Sequence, residues 1–151
     1  MDRFLLRIRI GYPDEAHERQ ILRGAGAAVL DRLQSVMSAE SLLDLQAQVL
    51  GVKVEESLLQ YVLAMVQASR SHPALSLGVS PRGSLALVRA AQALALCEGR
   101  QFCIPDDIKQ LAVAALAHRV ILRTRWDPTA ERRDDAESVI REILQDTPVP
   151  R

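Results

Sequence analysis

Only one stretch of this chain alternates as a β-strand should. Phe4 to Ile10 read F-L-L-R-I-R-I, with Phe4, Leu6, Ile8 and Ile10 on one face and Leu5, Arg7 and Arg9 on the other, and Gly11-Tyr12-Pro13 ends the run. From Asp14 onward the apolar spacing turns helical and does not return to alternation. A lone strand cannot satisfy its own backbone donors and acceptors. The chain is therefore expected to be all-α, a helical bundle preceded by one short strand whose sheet partners lie elsewhere. Exposed in isolation, that strand predicts either loss of order or edge-to-edge pairing with a second copy.

Six helices are expected. The first opens at Asp14 and Glu15 and runs to about Arg23, where Gly24-Ala25-Gly26 interrupts it. The second follows Ser38 as N-cap, carries Leu42, Leu45, Gln46 and Val49 along one stripe and stops at Gly51. The third spans about Glu55 to Arg70, burying Leu58, Leu59, Val62, Met65, Val66 and Ser69, and ends before Pro73. The fourth has Ser80 as cap and Pro81 at its first position and runs to about Glu98. Leu85, Val88, Gln92 and Ala95 form one row and Leu87, Ala91 and Leu94 another, so it is apolar around most of its circumference and should be central. The fifth starts at Pro105-Asp106-Asp107 and carries Ile108, Leu111, Ala112, Ala115 and Leu116 toward Leu122. The sixth covers about Thr129 to Gln145 with Ala136, Val139, Ile140, Ile143 and Leu144 inward.

Composition narrows the function classes. Nineteen Lys+Arg against nineteen Asp+Glu leave no net charge, hence no global field to gather nucleic acid or an anionic membrane. With 3% aromatics the chain has no base-stacking platform. Cys97 and Cys103 cannot build a secreted disulfide framework and are expected to be reduced. No apolar run approaches the ~20 residues of a membrane helix, and the N-terminus lacks the order of a signal peptide. The cytoplasm is the expected compartment.

No catalytic set assembles from spacing alone. His17, His72 and His118 are far apart and none sits at metal-ligand spacing, so no metal site is expected. Gly24-Ala25-Gly26-Ala27-Ala28-Val29 lacks the third glycine of a dinucleotide loop and follows a helix. His118 and Arg119 suit the negative end of the fifth helix, and Trp126 reads as a packing anchor between the last two helices. The informative stretch is Ser69 to Ser84, S-R-S-H-P-A-L-S-L-G-V-S-P-R-G-S. It places Arg82 in the first turn of the fourth helix, where the helix dipole makes a cation unfavourable by ~0.3 to 1 kcal/mol. Two readings follow: a solvated arginine beside a neighbouring carboxylate, or a guanidinium and free N–H groups that meet an anion.

This stretch resembles the lid of MoxR-type AAA+ ATPases, whose corresponding segment ends in a similar H-P-x-L-x-L-G-x-S-P-R-G run. The resemblance extends over nearly the whole chain: Asp2-Arg3-Phe4, Gly11-Tyr12-Pro13-Asp14-Glu15, Arg89 to Ala95, Pro105-Asp106-Asp107-Ile108-Lys109, Ala117-His118-Arg119 and Pro148-Val149-Pro150. It implies that residues 1–13 are the last strand and linker of a large ATPase domain and residues 14–151 the helical lid. It implies that Arg82 is the sensor 2 arginine, reaching the nucleotide phosphates from the lid, and that Arg3 in D-R-F is an arginine finger acting on a neighbouring subunit's nucleotide. Such fingers are worth roughly 10³ to 10⁵ in rate in GTPase systems. Implied cofactors are ATP and Mg²⁺ in a full-length protein. Implied partners are the large domain and neighbouring subunits of a ring, with von Willebrand A domain proteins in chaperone-like work.

The sequence departs from that pattern in two places. It has no G-x-x-x-x-G-K-[ST] loop and no acidic metal-binding strand, so this chain alone is expected to bind no cofactor and hydrolyse no ATP. Ile104 stands where a Thr would be the natural cap before Pro105. Met1 occupies a position where the family commonly has Leu, which leaves a start codon at the head of a shortened chain open. The rival reading is a free-standing helical protein-interaction module without a nucleotide role. DNA binding through residues 105–122 is the weakest, because the would-be recognition helix is dominated by Ala, Leu and Val.

Overall fold

The computed structural model describes residues 3–24, 33–123 and 132–150. Trp126 and most of the glycine interruption after Arg23 lie outside the described residues. The chain divides into two compact units, Ile8–Gln46 and Met1–Arg7 with Ala47–Arg151. In the smaller one, α1 (Glu15–Leu22) starts as its acidic first turn requires. Asp14 caps it, accepting the His17 N–H at 2.9 Å and facing the His17 ring at 2.7 Å. Helix α2 (Ala39–Gly51) begins after Ser38, whose hydroxyl accepts the Ser41 N–H at 3.1 Å, and crosses into the larger unit. None of its residues is buried; Leu42, Leu43, Leu45 and Leu50 are all exposed. Of the expected stripe Leu42, Leu45, Gln46 and Val49, only Val49 is half-buried.

The larger unit holds the core. Helices α3 (Glu56–Ser71), α4 (Pro81–Cys97), α5 (Pro105–Leu116) and α6 (Arg132–Asp146) pack α3 on α4 and α6, α4 on α5, and α5 on α6. Leu58, Val62, Met65, Val66, Leu87, Ile108, Leu116, Val139, Ile140 and Ile143 fill the space between them. Ala91 and Ala95 on α4 and Ala112 and Ala115 on α5 have no exposed surface at all, and such small side chains let two helix axes approach closely. Gln92 is the one buried polar group on α4. Its Nε2 donates to the Val52 carbonyl at 2.7 Å and its Oε1 accepts from Arg89 at 3.0 Å, so it fastens the exit of α2 to the central helix.

Two expectations about extended structure are corrected. Residues 4–10 form no strand; with no sheet beside them there is no ladder to join, and Phe4, Ile8 and Ile10 are exposed. The fifth helix does not continue toward Leu122. It ends at Leu116, passes through a 3₁₀ turn at Ala117–Arg119, and turns extended at Val120. Ile121–Leu122 then form strand β2, antiparallel to β1 (Leu75–Leu77), with Leu75 opposite Leu122 and Leu77 opposite Ile121. The β-branched Val120 and Ile121 favour this, and the Ser76 hydroxyl adds bonds to the Ile121 and Leu122 carbonyls at 3.1 and 3.2 Å.

The start of α5 shows how a missing cap is replaced. Ile104 has no side-chain acceptor, yet Asp107 reaches back to its N–H at 2.8 Å and takes a bidentate grip from Arg100 at 2.6 and 2.8 Å. Glu98 also pairs with Arg100. Burial by itself would raise the Asp107 pKa, but Arg100 and the Ile104 N–H outweigh it and hold the carboxyl below its ordinary value. A folded pKa below the unfolded one stabilises the protein above the usual carboxylate range, and the contribution fades as pH falls through the lowered value. Asp107→Asn should therefore lower Tm at neutral pH, with the gap to the unmodified chain closing below about pH 4 in thermal melts across the acid range. Gly78 supplies a steric test. A Cβ there would stand 2.6 Å from the Arg70 Cα and N and from the Ser69 carbonyl oxygen, all backbone atoms, whereas one on Gly51 meets nothing within 4 Å. Gly78→Ala should cost about 1 to 3 kcal/mol or more in urea unfolding, and Gly51→Ala should be close to neutral.

Candidate functional site

The first turn of α4 is carried on a short segment stitched to the end of α3. Ser69, almost wholly buried, donates from Oγ to the Val66 carbonyl at 2.6 Å and accepts the Val79 N–H at 3.0 Å. Arg70 Nε donates to the Val79 carbonyl at 3.0 Å. Both polar groups of the Val79 backbone are thus taken by neighbouring residues of α3. Gly78 allows the close approach that brings them there. The next residue, Ser80, caps α4: its Oγ accepts the Gly83 N–H at 3.2 Å, and Pro81 follows at the first helical position.

Arg82 comes next, and its side chain is exposed. The first turn of α4 contains no acidic residue, and Arg82 has no hydrogen-bond or ion-pair partner among the described residues. Of the two readings open from physics alone, exposure agrees with a solvated arginine, but no described carboxylate stands beside it. Gly83 beside it is tightly enclosed: a Cβ would stand 2.7 Å from Val79 Cγ1 and 3.2 Å from Arg119 Cδ.

Arg3 is also exposed. No described bond joins it to Arg82, but the residues after it are docked rather than loose. The Phe4 carbonyl accepts from His118 Nε2 at 3.0 Å and from Arg119, Arg7 N–H donates to the Ala114 carbonyl at 2.9 Å, and the Arg7 guanidinium pairs with Glu137 of α6 at 2.8 Å. Arg7 is thus half-buried in an ion pair. His118 and Arg119 are structural, as the sequence suggested, through these contacts to residue 4. Because a carbonyl only accepts, His118 carries its proton on Nε2. Its Nδ1 is buried without a hydrogen-bond partner among the described residues, as is the Tyr61 hydroxyl.

Other reactive chemistry is absent from the described residues. No group of three or more His, Cys, Asp and Glu side chains could hold a metal ion there, and no helix is long and apolar enough to cross a membrane. Burial pushes the Cys103 thiol up, which makes it a poor nucleophile, while Cys97 is exposed. Sequence reasoning singled out Arg82 and Arg3 but missed Arg70, Gly78 and Arg119 as supports. The signal was a Ser-Arg pair at a helix end, followed within ten residues by G-V-S-P.

The larger unit thus has a central apolar helix, flanked by helices on both sides and entered through a capped turn that carries an exposed arginine. The AAA lid domain family model matches residues 67–143, about half of the chain, and the chain belongs to that family. Its similarity to MoxR-named proteins identifies it as the lid region of a MoxR-like AAA+ ATPase. Among curated relatives, Uncharacterized protein YeaC of Bacillus subtilis (strain 168) is 40% identical over 99% of this chain and 46% of its own length. Chaperone MoxR1 of Mycobacterium tuberculosis is 34% identical over 99% of this chain and 41% of its own length. The chain therefore spans less than half the length of these relatives. The crystal structure of a Cytophaga hutchinsonii protein assigned as an ATPase superposes with a TM-score of 0.84 at 26% identity, covering 99% of this chain and 48% of that one.

The stitch to Val79 is testable in this chain. Ser69→Ala leaves a buried N–H without an acceptor, a loss of about 1 to 3 kcal/mol, and should speed hydrogen exchange at Val79 more than at the core of α3.

Proposed function

We propose that this chain serves as the nucleotide-sensing lid of a MoxR-like AAA+ ATPase, with Arg82 as the sensor 2 residue. The observation that carries the reading is the Arg82 guanidinium itself: exposed, without a described carboxylate partner, and held at the positive end of a 17-residue helix. A cation placed there is unfavourable until an anion arrives. A phosphate group would relieve that cost and take the planar donor fork. The chain's residues fit the phosphate end of a nucleotide in this respect, and the phosphate loop and magnesium ligands belong to a large domain whose motifs this sequence lacks. Bound ATP with Mg²⁺ supplies the phosphate charge. Arg82 meets that charge, and the Ser69 and Arg70 bonds to Val79 transmit its position to α3.

In this reading Arg3 reaches the nucleotide of a neighbouring subunit as an arginine finger, and the lid packs within a ring. Hydrolysis then drives chaperone-like work in the cytoplasm on a client, with von Willebrand A domain proteins as partners. Membranes and nucleic acid are not among its partners, in keeping with a formal net charge of zero. The test uses the polypeptide that joins this chain to its nucleotide-binding half. A charge-assisted bond of about 1.5 to 3 kcal/mol predicts that Arg82→Ala weakens binding of a fluorescent ATP analogue roughly 10- to 100-fold and slows turnover. Unchanged affinity together with unchanged turnover rejects the assignment.

A further inference from the structure

Arg119 lies at the junction of the two segments that carry the candidate arginines. Its side chain is about nine-tenths buried. Its Nε donates to the Ala115 carbonyl at 2.8 Å, which satisfies the end of α5 and fixes the plane of the guanidinium. From that fixed plane Nη2 reaches the Phe4 carbonyl, one residue after Arg3, and lies 3.5 Å from the Leu5 carbonyl. The aliphatic stem of the same residue packs on the first turn of α4. Its Cδ is 3.2 Å from where a Cβ on Gly83 would stand, immediately after Arg82. One buried side chain therefore touches both the backbone that follows Arg3 and the turn that presents Arg82.

We propose that Arg119 is a positioning residue that sets the reach of Arg3 by holding the Phe4 carbonyl against the base of α4. It contacts no nucleotide itself. The proposal rests on the reading of Arg3 as a finger toward a neighbouring subunit. Residues 4–7 are docked on the helices by several contacts: Arg119 and His118 on Phe4, Leu6 against the core, Ala114 on the Arg7 N–H, and Glu137 on the Arg7 guanidinium. Of these, Arg119 also packs against the α4 turn, at Gly83. A side chain fixed on three sides costs little further ordering when the finger engages, which is what a preorganised support contributes. Movement of the α4 turn as Arg82 meets phosphate would pass through the Arg119 stem to Arg3, so occupancy of one site would be felt by the finger that serves the next.

The informative variant is Arg119→Met, which keeps a flexible apolar stem against Gly83 and removes the head. In this chain it should raise hydrogen exchange at the Arg7 amide by about tenfold or more, while Leu87 and Ala91 in α4 exchange as before. A uniform rise across the chain, or none at Arg7, overturns the proposal. In the polypeptide that includes the nucleotide-binding half, Arg3→Ala, Arg119→Met and the double variant form a cycle. Arg119→Met should lower kcat to within roughly threefold of Arg3→Ala and leave affinity for a fluorescent ATP analogue unchanged, and the double variant should be no slower than Arg3→Ala. If Arg3→Ala is slow and Arg119→Met is not, or if the two losses multiply, the positioning role is rejected while the finger stands. If Arg3→Ala turns over like the unmodified protein, the finger reading falls and this proposal falls with it. Should Arg119→Met fail to fold, Arg119→Lys replaces it. Lysine keeps the charge but cannot hold Ala115 and Phe4 from one plane, so kcat should again drop, and retention of full kcat counts against the proposal.

Discussion

The larger unit depends on a buried hydroxyl. Ser69 bonds back into its own helix and forward to Val79, so one oxygen closes the last turn of α3 and fixes the entry to α4. This works only because Gly78 lets the returning chain lie against the Ser69 and Arg70 backbone at a separation no side chain would allow. The locally capped start of α4 at Ser80 and Pro81, with Arg82 in its first turn, is joined to α3 by that anchoring. Arg82 thus stands on an anchored base, and displacement of that base becomes displacement at the guanidinium.

The helical packing distributes the same rigidity. Alanines with no exposed surface on α4 and α5 bring the two helices close, and the Arg100–Asp107 pair replaces the cap that Ile104 cannot provide. The pair is nearly enclosed on the Asp107 side, so it also sets where α5 begins relative to the loop after α4. At the other end of α5, Arg119 takes the Ala115 carbonyl and turns the chain toward β2. The ends of α5 are thus defined by two arginines, one pairing a carboxylate and one pairing carbonyls.

Much of this was legible in residue spacing. Leu58, Val62, Met65, Val66 and Ser69 are all buried on α3, Ala136, Val139, Ile140 and Ile143 on α6, and Ser38 and Ser80 cap the helices they precede. Leu85 is an instructive miss: it shares a row with Gln92 on the central helix but is exposed, because that row runs onto the Arg82 side at the N-terminal end. The strand pair Leu75–Leu77 with Ile121–Leu122 was not visible. Three and two residues are too few for alternation to show, and the pairing joins segments far apart in the chain.

The sequence by itself determined the helical class, the helix starts and the place of Arg82 in the first turn of the central helix, because caps, prolines and apolar periodicity act over a few residues. Only the tertiary structure decided that Phe4 to Arg7 would dock without forming a strand, that the fifth helix would yield to a strand after Arg119, and that Gly78 and Arg119 would lie against the segment and the turn that lead into α4. Those outcomes rest on contacts that local spacing does not set, from Gly78 against Arg70 to Arg119 against Phe4 at the far end of the chain. Whether a glycine faces open solvent, like Gly51, or a backbone 2.6 Å away, like Gly78, is not written in its neighbours along the chain.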